Sequence, residues 1–108
     1  MDKNVTILGG GESGIGAAVL ALKNNYNVFV SDNNFIKKEI KKILNKHKII
    51  YEEGGHSTGK ILSSNLIIKS PGIPNGIDLI KKINQKKIEL ISEIEFAARF
   101  SKAKIIAV

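Results

Sequence analysis

Short apolar runs alternate along the chain with longer stretches in which apolar residues recur every three or four positions. The run Val5-Thr6-Ile7-Leu8 reads as a buried strand over residues 4–8. Residues 13–24 read as a helix, because Ile15, Ala18, Val19 and Leu22 fall at i, i+3, i+4 and i+7. The same reasoning predicts strands at 27–31, 49–52, 66–69 and 89–91, and helices at 35–46 and 77–86. Segment 58–63 has room for one or two helical turns. Ser92 and Glu95 have the Ser-x-x-Glu spacing of a capping box, which predicts a helix from there to about Phe100. Residues 104–108 are again strand-like.

Strands that alternate with helices and are apolar on both faces imply a parallel sheet covered on both sides. The expected fold is α/β: a Rossmann-like, doubly wound, five-stranded parallel sheet of order 3-2-1-4-5, with helices on both faces. In such a sheet ligands bind beyond the carboxyl ends of the strands, where the strand order reverses. Three loops should converge there: the glycine loop after the first strand, Ser31-Asp32-Asn33-Asn34 after the second, and Lys69-Ser70-Pro71-Gly72-Ile73-Pro74 after the fourth.

The glycine loop carries the strongest chemistry. Gly9, Gly11 and Gly14 fit a GxGxxG pattern between a strand and a helix. Free N–H groups and the positive end of the helix dipole would meet there, which suits a diphosphate. Gly11 would admit the phosphate, Gly14 would allow the helix to approach the strand, and Glu12, Ser13 and Gly14 would offer backbone N–H groups. The Glu12 carboxylate, which would repel phosphate, should face solvent. Asp32 lies 18 residues beyond Gly14, where an acid often holds a ribose hydroxyl; it would serve equally as the N-cap of the next helix. Pro71-Gly72 is the order favoured by a type II turn. His56 stands alone, without a second metal ligand, and is expected to be structural or on the surface, as is His47.

Composition narrows the class. The chain has 108 residues, enough for one small domain, and no cysteine, so disulfides and thiolate zinc sites are excluded. No apolar run approaches the roughly 18 residues of a membrane span. A strand is expected almost at the first residue, so no signal peptide is foreseen and a cytoplasmic setting is the simple reading. The formal charge is +7. Its lysines (Lys37, Lys38, Lys41, Lys42 and Lys46, then Lys81, Lys82, Lys86 and Lys87) alternate with Ile and Leu and lack interleaved aromatics or arginines. They read as solvated helix faces, and neither a nucleic-acid partner nor a membrane is expected.

Four segments in one order go beyond a generic nucleotide fold: Ile7-Leu8-Gly9-Gly10-Gly11-Glu12-Ser13-Gly14, Val30-Ser31-Asp32, Lys69-Ser70-Pro71-Gly72-Ile73-Pro74 and Ser92-Glu93-Ile94-Glu95-Phe96. Together they resemble the N-terminal domain of the Mur ligases, most of all the D-glutamate-adding branch, over the whole chain. The resemblance implies a cytoplasmic peptidoglycan-synthesis enzyme of three domains. The N-terminal domain would hold the UDP part of UDP-N-acetylmuramoyl-L-alanine; the central and C-terminal domains would bind ATP, magnesium and D-glutamate. Carried over by position, Gly10, Gly11, Glu12, Ser13 and Gly14 would lie against the diphosphate and uridine. Asp32 and Asn33 would meet the uracil or ribose, and Ser70, Gly72 and Ile73 would line the same pocket. Relatives often carry an arginine or hydroxyl residue after the aspartate, where this chain has Asn33-Asn34.

In the family a strand like 104–108 leads into a Gly-x-x-Gly-Lys-[Ser/Thr] loop, and the sequence contains no such motif. Residues 1–103 are therefore expected to form the UDP-substrate domain, and 104–108 the first strand of a central domain, either disordered, docked on its own domain or paired with a second copy. ATP and Mg2+ belong to the full-length enzyme, with no cofactor, catalytic residue or metal ligand assigned here, and the isolated chain is expected to be inactive. An NAD-binding oxidoreductase domain shares the glycine loop and Asp32, and a regulatory nucleotide-binding module remains a third reading.

Overall fold

A computed structural model describes residues 3–74 and 76–100; the expected strand at 104–108 lies outside them. Five parallel strands form one sheet: β1 (Asn4–Leu8), β2 (Asn27–Ser31), β3 (Ile50–Glu52), β4 (Leu66–Lys69) and β5 (Glu89–Ser92). Their order is β3-β2-β1-β4-β5, as expected for the doubly wound fold class. The switch point lies between β1 and β4, whose register pairs Leu8 with Lys69.

Alternate strand residues feed two cores. Val5, Ile7, Val30, Leu66 and Ile68 face helices α1 (Glu12–Lys23), α2 (Lys38–Lys46) and α5 (Glu93–Arg99). Leu8, Phe29 and Ile67 face α3 (Thr58–Ile61) and α4 (Asp78–Gln85). Burying both faces removes these side chains from water at roughly 25 cal/mol per Å² and makes the central strands largely apolar, with Thr6 and Ser31 as buried polar residues. In α2 the lysines at 38, 42 and 46 are exposed, as is the N-cap Lys37, and in α4 those at 81 and 82 are too.

Two helices differ from expectation. In α1 the buried face is Gly14, Ala17, Ala18 and Ala21, while the larger Ile15, Leu20 and Leu22 are only partly covered. Small residues let the helix lie close to the sheet, so size overrode the apolar period. The second helix starts at Lys38 rather than residue 35. Ile36 turns inward, and its N–H donates to Glu53 Oε1 at 2.8 Å, so this backbone is already engaged across the sheet edge. Glu53 also binds Lys41 at 2.6 Å. These two bonds, the ammonium foremost, hold its carboxyl below the usual range.

Helices α1, α2 and α4 end alike. Asn25, Lys48 and Lys87 sit at positive φ (68°, 57° and 58°) just past each C-cap. The next residue's N–H reaches back in each case: Tyr26 to Ala21 O, Ile49 to Leu44 O and Ile88 to Ile83 O. This is the Schellman motif, built here without glycine. At the other end of the chain the Ser92 hydroxyl accepts the Glu95 N–H at 3.0 Å and starts α5, as its spacing predicted. Phe96 then anchors α5, fully buried and edge-on to Tyr26 with ring centroids 5.9 Å apart.

Candidate functional site

The glycine loop is shaped by two close approaches. Gly9 has φ of +113°, and a Cβ there would stand 2.7 Å from the Ser70 Cβ, so β4's loop closes directly over it. At Gly14 a Cβ would meet the Gly9 carbonyl oxygen at 2.1 Å, which demands glycine. Gly11 is different: a Cβ would find nothing within 4 Å. It caps α1 in an extended conformation that any residue adopts. Its place in the motif therefore reflects open space above it rather than the fold. The first bond of α1 runs from the Ile15 N–H to Gly11 O at 3.0 Å, so the N–H groups of Glu12, Ser13 and Gly14 have no intrahelical acceptor. Glu12 is exposed, as phosphate binding would require.

Asp32 is not a helix cap. Its Oδ2 accepts the Gly10 N–H at 2.7 Å and its Oδ1 the Asn34 N–H at 2.9 Å. Gly10 is itself enclosed: a Cβ would lie 2.8 Å from Ile36 Cγ1. The carboxylate thus joins the second loop to the first and sets where the cleft begins.

The third loop closes with a bond from the Ile73 N–H to Ser70 O at 3.1 Å. Gly72 is not at positive φ, so the turn is not type II as its Pro-Gly order suggested. Lys69 holds the turn from beneath, donating from Nζ to Ile73 O at 2.7 Å. Two carbonyls facing one ammonium satisfy the turn without a left-handed residue, since Ser70 O also lies 3.4 Å from Nζ. Lys69 was legible only as part of the loop, and its clamping role depends on the fold.

A cleft of about 490 Å³ opens between the three loops. Of the expected residues, Gly11, Asp32, Asn33, Ser70, Gly72 and Ile73 line it. Gly10 and Gly14 lie behind it as packing residues. Ser13 instead lines a second cavity of about 430 Å³ toward β5, with Lys69, Pro71 and Glu93. Asn34 and Pro74, named only as members of the converging loops, also line the cleft wall, as do Ile77, which was not named for the site, and His56, which was expected to be structural or on the surface.

His56 is fixed by a chain of polar groups. The fully buried Ser31 hydroxyl donates to Glu52 Oε2 at 2.7 Å, and His56 Nδ1 lies 2.6 Å from the Ser31 Oγ. Glu52 also accepts the Ser57 N–H at 2.7 Å and the Ser57 hydroxyl at 2.6 Å. Burial works to raise the Glu52 pKa, but the bonds from Ser57 and Ser31, with the neighbouring His56, outweigh it and bring it below 4.5. Among the described residues no group of three or more His, Cys, Asp or Glu side chains is placed to hold a metal ion. No described helix is long and apolar enough to cross a membrane.

Comparison with known proteins gives the chain its family. Residues 4–77 match the family model of the MurD N-terminal domain. The chain is 46% identical over 108 residues to the UDP-N-acetylmuramoylalanine–D-glutamate ligase of Christiangramia forsetii, covering 100% of this chain and 24% of that enzyme. It is 49% identical over 106 residues to the ligase of the same name from Bacteroides thetaiotaomicron, covering 98% and 24%. It therefore spans about a quarter of the length of these relatives. A murein peptide ligase from Psychrobacter arcticus superposes with a TM-score of 0.80 at 22% identity, over 90% of this chain and 20% of that one. The UDP-N-acetylmuramate–alanine ligase of Thermotoga maritima gives 0.77 at 19%, over 93% and 23%. At those identities the structural likeness speaks for the fold alone.

Proposed function

Since the chain belongs to the MurD N-terminal domain family, we propose that its cleft holds the UDP end of UDP-N-acetylmuramoyl-L-alanine for a ligase that adds D-glutamate. One observation carries the reading: the unpartnered N–H groups at the start of α1 and the open space over Gly11 lie at the switch point, on the edge of the three-loop cleft. In this reading the N–H groups of Glu12 and Ser13 take the diphosphate, with the helix dipole behind them. Asn33 and Asn34 meet the nucleoside on one wall, and Ser70, Gly72 and Ile73 form the other.

The residues present do not fit the ATP and Mg2+ of such an enzyme. The sequence has no Gly-x-x-Gly-Lys-[Ser/Thr] loop, and no metal-binding cluster occurs among the described residues. No phosphoryl-transfer step is assigned to this chain. In the proposal residues 1–103 are the substrate-binding unit, and ATP, Mg2+ and D-glutamate bind in parts of the relatives that it does not span. The chain alone then binds without catalysing, in a cytoplasmic setting.

Calorimetry with UDP-N-acetylmuramoyl-L-alanine and with NAD tests the proposal. Heat from the first and none from the second is expected. Binding of NAD with no response to the UDP ligand would overturn it in favour of a redox-cofactor domain.

A further inference from the structure

We infer that His56 is a nucleoside-recognising residue whose Nε2 accepts a hydrogen bond from a ribose hydroxyl of the bound uridine diphosphate. The inference rests on the proposed UDP site and adds a residue to it.

The proton count on Ser31 fixes the direction of both bonds. Its hydroxyl has one hydrogen, and Glu52, whose carboxyl is held toward its ionised form, can only accept. The Ser31 hydrogen therefore goes to Glu52. His56 Nδ1, 2.6 Å from the same hydroxyl oxygen, must then be the donor. In a neutral imidazole a proton on Nδ1 leaves Nε2 as a bare acceptor. Nε2 has no partner among the described residues, yet it is not among their buried unpartnered atoms, so it is open to a ligand. The ring lines the cleft.

Asp32, where many dinucleotide sites keep their ribose acceptor, takes one backbone N–H on each carboxylate oxygen and is held between two loops, whereas His56 Nε2 has no partner among the described residues. His56 stands on the same cleft wall as Asp32 and Asn33, with an acceptor whose tautomer is set in advance. A hydroxyl is both donor and neutral, and suits an imidazole lone pair.

The His56→Asn variant tests this, because its Nδ2–H can keep the bond to Ser31 while the Nε2 acceptor is gone. Affinities of the unaltered chain and the variant would be compared for UDP, 2′-deoxy-UDP and 3′-deoxy-UDP. The variant should bind UDP about five- to tenfold more weakly. It should match the unaltered chain for the one analogue that lacks the contacted hydroxyl. Nitrogen NMR of the free chain should report the Nδ1–H form, and Ser31→Ala should mix the tautomers.

An unchanged UDP affinity, an equal loss for all three ligands, or an Nε2–H ring would overturn the inference. If UDP binding is intact and is blocked by Gly11→Val while His56→Asn is neutral, this inference alone fails. If the unaltered chain does not bind UDP, the proposed site fails with it.

Discussion

The Asp32 carboxylate accepts the Gly10 N–H at 2.7 Å, so one side chain of the second loop holds the first loop in place. Gly10 is buried, and its N–H would otherwise have lost water without gaining a partner. Asp32→Ala should therefore destabilise the chain by about 1–3 kcal/mol. Urea denaturation measures this. A variant as stable as the parent would show that the loops hold each other without the carboxylate. Nucleotide affinity should fall as well, because the glycine loop would no longer be held against the cleft.

The glycines of the loop should separate in their effects. Gly14→Ala forces a Cβ to 2.1 Å from the Gly9 carbonyl oxygen and should cost about 3 kcal/mol or more. At Gly11 an added Cβ meets nothing within 4 Å. The stability of Gly11→Val should stay within about 1 kcal/mol of the parent, the scale of an altered N-cap. Yet it should abolish binding, since the branched side chain fills the space proposed for the diphosphate. Thermal melts and calorimetry on both variants check the pair. Intact ligand affinity in Gly11→Val would move the site elsewhere.

Glu52 should shape the acid limb of the stability profile. Its pKa is depressed in the folded chain below the ordinary 4.5. A depressed carboxyl means that the unfolded chain binds protons first as the pH falls. The stabilisation is therefore complete above 4.5 and is lost as the pH drops through the lower folded-state value. Glu52→Gln should be less stable than the parent near neutral pH, and the gap should narrow toward acid. A gap that stays constant with pH would remove Glu52 from the titration.

Lys48 and Lys87 occupy left-handed positions that favour glycine. Lys87→Gly, at an exposed position, should stabilise the chain by about 1 kcal/mol by relieving the Cβ clash with the backbone. A rise in Tm is the measurement. A fall would mean that the lysine stem contributes more than the strain costs.

These positions show why the helix ends were only partly legible. The usual stop signal is a glycine, and here asparagine and lysine take its place. The bonds that reveal the motif, such as Ile88 N–H to Ile83 O, leave no mark in residue type. The early start expected for the second helix has a similar cause. Residues 35–37 carry an apolar and basic pattern that suits a helix, but Ile36 gives its N–H to Glu53 Oε1, 17 residues away.

What local chemistry could encode was readable. Strand and helix periods, the turn residues between them and the Ser92–Glu95 cap depend on neighbours within a few positions, and they gave the parallel sheet; the strand order and the converging loops followed from the doubly wound fold class. The bonds that finish the site run between distant residues: Asp32 to Gly10, 22 apart, and Ser31 to His56, 25 apart. Those pairs meet because β2 lies between β1 and β3 in register. The fold thereby made Asp32 a strut rather than a cap, and brought a lone histidine to the cleft wall.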